Sequence, residues 1–506
     1  MPSSLKAGIV VLAIAAVIFA LAKPVALKFS AQADFARRRN IWFTLTALAF
    51  VSPSFWLFVL VAVPLLSWGG RKDRNPVAFY LLLLFVVPQI QIEIPTVGIS
   101  SLLELDIFRL LSFCVLIPAA RRLRRARDPA AISGWHTMDV LLILWGILQL
   151  ALFVPPDLPG QPIVQQSLTG LLRRAVIFFI DIWVLWYVVS RSCSNRRALM
   201  EAMAAFCTSC AIMALIAIFE SLRHWLLYAD IAQRWTGASG VDVYLFRGGI
   251  LRAQAAAGHS IALGYLLATA LGFWFFLRSE VDSVRVRVGL VLLLWMGLIA
   301  TYSRGPWMGG VAIYFFYAAM GPRAIPRLVK TGAIAAIALA TVAASPIGER
   351  ITRVLPFMGG SVDTGSITYR QQLAARSWEL ITQSPLFGDQ HAFFKMEDLR
   401  QGEGIIDLVN TYAAVALFYG FVGLTLFAGF MLVGLQRAYR TSRRSIASDP
   451  GFARLGAALG ACIVGTLLML ATCSFILSLE KMYYVLGGLA AAYAHLGTRP
   501  KPESVA

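Results

Sequence analysis

Charge is scarce in this 506-residue chain: Asp, Glu, Lys and Arg together make up 14% of it, against roughly a quarter in soluble domains. Histidine is scarcer still, with five residues, and the six cysteines (Cys114, Cys193, Cys207, Cys210, Cys462, Cys473) mostly sit in or at the ends of apolar runs rather than at regular spacing in a polar segment. That excludes a disulfide scaffold. Cys207 and Cys210 form a CxxC, but no second Cys pair or His stands near enough to complete a zinc site, so they read as helix neighbours. No polar stretch is long enough to make a soluble domain, and no repeat of 20–50 residues and no pair of halves with inverted hydropathy can be found, which weighs against a transporter.

What the chain does have is apolar sequence: 58% hydrophobic residues and a mean hydropathy of +0.72. The reading is an all-α, polytopic integral membrane protein. A hydrocarbon core of about 30 Å takes about 20 helical residues to cross. Runs near that length fall at 7–28, 41–67, 76–91, 107–120, 136–154, 167–190, 199–226, 254–277, 288–303, 306–321, 332–346, 408–436, 453–475 and 480–496. This predicts about 12–14 transmembrane helices, with the second run open to division at Ser52-Pro53-Ser54. The first run lacks a clear cleavage site after it and reads as a retained helix rather than a signal peptide.

The formal charge of +19 is explained by topology rather than by nucleic acid. Basic clusters at Arg71/Lys72/Arg74, Arg121–Arg127, Arg191–Arg197, Arg278–Arg287, Arg323–Lys330 and Arg437–Arg444 are each two apolar runs apart, which places them in the cytoplasm. Arg37-Arg38-Arg39 obeys the same rule only if the second run divides, which would put the amino terminus outside. Counting forward puts residues 347–407 outside, in the periplasm of a bacterial inner membrane, and the carboxyl terminus inside. The expected organisation is therefore membrane helices in 1–346, a periplasmic lid in 347–407 containing short helices, and membrane helices with a cytoplasmic tail in 408–506. Within the lid, Ile367 to Gln383 has helical composition, with Ser366 as its cap and Pro385 and Gly388 as its stop.

Arginines near the outer boundary defy the positive-inside bias and ask for a partner. They are Arg173-Arg174 inside a span, Arg247 and Arg252 ahead of one, Arg304 between two, and Arg370 and Arg376 in the lid. Snorkelling, or a pair with Asp181 or Glu220, is the bland alternative for any one of them. As a set at headgroup depth they suit a diphosphate, since each guanidinium fork can hold phosphate oxygens bidentately. Pro306, in the first turn of the helix that Arg304 opens, leaves that helix's N–H groups facing an anion. Gly305/Gly309 and Gly456/Gly460 have GxxxG spacing and read as close helix packing.

Three stretches carry a resemblance to a family. Thr301-Tyr302-Ser303-Arg304-Gly305-Pro306-Trp307 looks like an S-R-G-x-W helix start. Tyr369-Arg370-Gln371-Gln372-Leu373, then Trp378, then Ser384-Pro385-Leu386-Phe387-Gly388 resemble an R-x-x-x-W…P-L-F-G lid. Val409-Asn410-Thr411-Tyr412 with Tyr419-Gly420-Phe421-Val422-Gly423-Leu424 is similar to an H-N-x-x-L…G-x-x-G-L helix. With Arg252 and Gly258-His259-Ser260 they cover roughly residues 245–435 and resemble the O-antigen ligase and polysaccharide polymerase superfamily of polytopic membrane glycosyltransferases.

The resemblance implies a transferase that displaces a polyprenyl diphosphate from the anomeric carbon of a sugar. Arg304, Arg370, Arg252, Arg247 and Arg174, with His259, Asn410 and Tyr412, are the expected substrate-binding residues. Ligases of this family carry a His where this chain has Val409, so the expected reaction is polymerisation of undecaprenyl-diphosphate-linked repeat units into exopolysaccharide or O-antigen. Asp407, and behind it Glu403 or His391, is the expected base, although Asp407 could equally serve the dipole of the following helix. Neither cofactor nor obligatory metal is expected. Glu104-Leu105-Asp106, an ExD, could ligate a divalent cation but is a common pattern. Expected partners are the lipid-linked oligosaccharide donor and acceptor, membrane lipids and, as a candidate, a chain-length-regulating copolymerase; nucleic acid is not among them. A ligase delivering finished glycan to lipid A core is the runner-up, and a flippase of lipid-linked oligosaccharide is the reading from another class.

Overall fold

A computed structural model describes residues 3–94, 103–125, 136–153, 168–237, 243–247, 249–320, 324–343, 364–400, 406, 408–475 and 478–498. The chain is a multi-pass helical membrane protein, with only two two-stranded hairpins among the described residues. Among the described residues six helices are long and apolar enough to cross a membrane: α1 (Ser3–Phe29), α3 (Phe55–Lys72), α10 (Arg196–Arg223), the helix from Ser260, α17 (Thr411–Ser445) and α18 (Pro450–Leu470). The second apolar run does divide. α2 (Gln32–Val51) ends at Ser52, Pro53 cannot donate to a continuing helix, and Ser54 caps α3 by accepting from Leu57 N at 3.4 Å.

That division has a consequence at the turn between α1 and α2. Arg38 pairs with Asp73 (2.6 Å), at the end of α3, and with Glu201 (2.9 Å) on α10. The Arg37–Arg39 run therefore lies at the same end of the bundle as the other basic loops, and residue 3 lies at the opposite end. More ties gather there: Arg122 donates to Gly70 O, Arg196 reaches Glu280 and Asp449, and Arg191 binds Asp139 at 2.8 Å.

The third run is helical only over α4 (Pro76–Leu83), and buried turns continue it to Ile90. β1 (Ile92–Glu93) then pairs antiparallel with β2 (Glu104–Leu105). α5 (Ile107–Leu111) and α6 (Ile117–Arg125) are joined through a π-turn, Ser112–Leu116, and α7 is Thr137–Ala151. α8 (Leu168–Phe178) and α9 (Val184–Ser192) are likewise joined, by the π-turn Phe179–Trp183. After α10 come α11 (Ala229–Thr236), the β3 (Phe246–Arg247)–β4 (Ile250–Leu251) hairpin, α12 (Ser260–Leu277), α13 (Val284–Ala300), α14 (Arg304–Ala319) and α15 (Ala324–Ala343). α16 (Thr364–Gln383) precedes α17 and α18, and α19 (Ser478–Leu496) closes the bundle.

α12 is the buried axis of this assembly, packed by α10, α13, α14 and α18. The GxxxG glycines allow close approach of α14 to the end of α18 and of α18 to α19, because a Cβ on Gly305 or Gly309 would strike Thr472 or Met469 and one on Gly456 would strike Tyr493. Cys207 and Cys210 are buried neighbours on α10 whose thiols reach Ala270 O and Leu266 O on α12. The lid helix begins at Thr364, so Ser366 lies inside it rather than capping it. Its stop is as read: Gly388, with φ +71, donates its N–H to Ser384 O.

Candidate functional site

The end of the bundle opposite the basic loops holds two polar regions on either side of the α17 start. The first is built on the turn between α13 and α14. Thr301 Oγ1 bonds Leu298 O, Tyr302 takes a positive φ of 46°, and Trp307 Nε1 donates back to Leu298 O at 2.8 Å. These contacts set the direction in which α14 begins, with Arg304 as its first residue and Pro306 in its first turn. The β3–β4 hairpin delivers two more arginines to the same turn: Arg247 donates to Tyr302 O at 2.9 Å and Arg252 to Ser303 Oγ at 3.0 Å. Burial, and then the neighbouring Arg247, push the pKa of Arg252 down to about 10. Among the described residues no carboxylate forms an ion pair with Arg252 or Arg304, and the Nε of Arg304 is buried without a hydrogen-bond partner. Guanidinium charge held without a counter-ion beside a helix N-terminus is costly alone and is relieved by an anion.

His259 stands at the N-cap of α12, where its Nδ1 accepts from Ile261 N at 3.2 Å. Asn410 caps α17 with its side-chain oxygen, accepting from Tyr412 N and Ala413 N. Thr411 Oγ1 donates to Cys473 O (2.7 Å) and Tyr412 OH to Leu467 O (2.6 Å), which ties the start of α17 to the end of α18. Asn410 and Tyr412 therefore have evident positioning work. Val409 directly precedes the cap; Asp407 and Glu403 lie outside the described residues. His391 is exposed at the head of a 3₁₀ segment, Ala392–Leu399, and its N–H donates to Asp389, which also pairs with Lys395 at 2.6 Å. Arg370 is exposed on α16, whereas Arg304 is half-buried at the α14 start.

The lid is joined to α17 at a break in that helix. Gly420 has φ +63 and ψ −168, which interrupts the helical ladder. The freed groups are taken by the Pro-Leu-Phe-Gly stretch: Phe421 N donates to Pro385 O at 2.7 Å, Val422 N to Leu386 O at 3.2 Å, and Asp389 N to Leu417 O at 2.8 Å. Gln390 adds a bond from its side chain to Phe418 O.

The second region is a cavity of about 330 Å³ on the other face of α17. Tyr419, one residue before the break, lines it, stacking edge-on against Trp145 (4.9 Å between ring centres) and accepting from Arg174 at 3.3 Å. Buried ions line it too. Asp181, in the π-turn between α8 and α9, takes Arg109 at 3.0 Å and Lys481 at 3.2 Å. Asp106 caps α5 through Arg109 N and accepts from Gln89 at 2.8 Å. The pairing of Asp181 with Arg173 or Arg174 is thus not formed, because Arg109 and Lys481 occupy that carboxylate. Nor, among the described residues, does Glu220 pair with an arginine: it accepts from the backbone N–H groups of Leu227, Gln254 and Ala255.

Of the residues expected from sequence, the structure gathers Arg247, Arg252 and Arg304 at one turn and sets Arg174 apart in the cavity. Sequence reasoning missed Arg109, Glu480 and Lys481. The signal was available, since each is a charge inside or at the start of an apolar run, the same anomaly that drew attention to Arg173 and Arg174.

Comparison with known families gives one match: residues 288–428 fit the family model described as O-antigen ligase. The matched region runs from α13 through the lid to the Gly420 break and contains all three motif stretches. No curated protein matches the chain. The resemblance to the O-antigen ligase and polysaccharide polymerase superfamily therefore stands for residues 288–428, and the chain is a multi-pass helical membrane protein with a region similar to that family.

Proposed function

We propose that the protein polymerises undecaprenyl-diphosphate-linked oligosaccharide repeat units at the periplasmic face of a bacterial inner membrane. The observation that carries this reading is the guanidinium cluster of Arg252 and Arg304, which has no carboxylate partner among the described residues and adjoins the α14 N-terminus. A diphosphate bound there gains bidentate hydrogen bonds, and the same groups stabilise the charge that grows on it as it departs. In the reaction an acceptor hydroxyl oxygen forms a bond to the anomeric carbon, the bond from that carbon to the diphosphate oxygen breaks, and the electron pair leaves with the polyprenyl diphosphate. The hydroxyl proton passes to a general base, for which the Asp407 carboxylate is the candidate by position, with Glu403 and His391 behind it. Arg247 supports the turn, Arg370 reaches the diphosphate from the lid, and the lid holds both chains in attack geometry.

Val409, in the place of the family ligases' His, favours polymerase over ligase. The family description favours the second reading, a ligase that hands finished glycan to a lipid A core. The product of a deletion strain separates them. Accumulation of single-repeat lipid-linked units supports polymerisation; full-length polymer left unattached replaces it with ligation.

A further inference from the structure

We infer that the cavity beside Tyr419 is a subsite for an uncharged sugar residue of the glycan, separate from the arginine cluster that suits the diphosphate. The inference rests on the proposed function only in taking the substrate to be a glycan.

The two polar regions differ in charge balance. At the α13–α14 turn Arg252 and Arg304 form no ion pair with a carboxylate among the described residues. At the cavity the cations Arg109, Arg174 and Lys481 are matched by Asp181 and Glu480 in the lining and by Asp106 behind Gln89. Arg109, Asp181 and Lys481 are each under a tenth exposed, so the network is fixed rather than solvated. A balanced set of fixed ions gains little from a further charge but presents strong donors and acceptors to a neutral polyol.

Three further observations suit a sugar ring. Trp145 and Tyr419 offer aromatic faces and edges to its C–H surface. Gln89, Gln91 and Gln149 add amides to the lining, and Oε1 of Gln89 is buried with no hydrogen-bond partner among the described residues while its Nε2 is held by Asp106. An acceptor left unsatisfied in a polar cavity is satisfied by a ligand hydroxyl or by water. At about 330 Å³ the cavity is near the lower end of ligand pockets, roughly 300–1,000 Å³, which restricts it to a small ligand portion rather than a long glycan.

The position is also apt. Tyr419 and Phe418 line the cavity and adjoin the Gly420 break that the lid holds, so a sugar there lies against the same stretch of α17 that the lid grips. Thr411 lines the cavity as well, while its hydroxyl binds Cys473 O on the segment that separates cavity from arginine cluster.

The test measures binding without turnover. The purified full chain in detergent is titrated with the neutral repeat-unit oligosaccharide released from the strain's own polymer, followed by saturation-transfer NMR. Farnesyl diphosphate serves as a separate probe for the anion site. Wild type is expected to bind the oligosaccharide, Gln149→Met and Gln89→Met to weaken it at least tenfold while keeping farnesyl diphosphate affinity, and Arg252→Lys to do the reverse. Should Gln89→Met fail to accumulate, because Asp106 loses its donor, Gln149→Met alone decides. The inference is overturned if wild type binds no oligosaccharide, if both Gln variants that accumulate bind it as wild type does, or if Arg252→Lys weakens it as much as they do. None of these outcomes depends on whether the deletion strain reveals a polymerase or a ligase.

Discussion

Gly388 of the lid and Gly420 of α17 seat against each other's backbone. A Cβ on Gly388 would come within 2.5 Å of the carbonyl carbon of Phe418, and one on Gly420 would collide with the carbonyl of Leu386. Both residues also have positive φ, at +71 and +63. The glycine of P-L-F-G and the first glycine of G-x-x-G thus meet in one joint where two chain segments approach too closely for any side chain.

Gly388→Ala and Gly420→Ala should each open that joint. Each substitution adds about 1–3 kcal/mol of backbone strain to the steric overlap. We expect a lowered unfolding temperature in detergent and strongly reduced glycan transfer, with the protein still inserted. Thermal melting and product analysis check it; unchanged melting and transfer in both variants would refute the joint's importance.

Arg304→Lys and Arg370→Lys keep the charge and lose the planar fork. If both bind the diphosphate, polymer formation should fall roughly tenfold or more in each, with normal membrane levels. Gel profiles of surface polysaccharide, with immunoblots for protein, provide the measurement. Normal polymer from both would remove these two residues from the anion site.

Asp407→Asn preserves shape while removing basicity. Turnover should drop about a hundredfold if this carboxylate accepts the proton, and donor binding should survive because the arginines are untouched. Near wild-type turnover would redirect attention to Glu403 or His391. Val409→His is expected not to create ligase activity alone, since acceptor choice depends on the whole mouth.

Sidedness can be read with single cysteines in a background lacking the native ones. A cysteine at Gly359 should react with an impermeant maleimide in intact cells, and one at Arg122 or Arg440 only after the inner membrane is permeabilised. The reverse pattern would invert the assignment of 347–407 to the periplasm.

Asp181→Asn leaves Arg109 and Lys481 facing each other without their shared carboxylate. Breaking a buried ion pair from one side typically costs about 3–5 kcal/mol. Stability in detergent should therefore fall sharply, and Asp181→Asn combined with Lys481→Met should recover part of it. No change in stability for Asp181→Asn would mean that the network is solvated rather than buried.

Sequence alone determined the membrane class, the basic end of the bundle and the region that carries the family motifs, because hydropathy and charge bias are local properties that each run displays by itself. It also offered the division at Ser52-Pro53-Ser54, since a proline's missing donor acts on its own turn. The α4 run was read too long because apolar composition does not distinguish helix from buried turn. Only the tertiary structure decided which charges meet. Asp181 could have served Arg174, seven residues away, yet it is taken by Arg109, 72 residues distant, and by Lys481, 300 residues distant. Side-chain partners in a helical bundle depend on helix rotation and neighbour order, which arise from the packing of all the helices together. For the same reason the arginines grouped by sequence divide in space, Arg252 and Arg304 at a turn where no carboxylate among the described residues pairs with them and Arg174 in a cavity lined by ions of both signs.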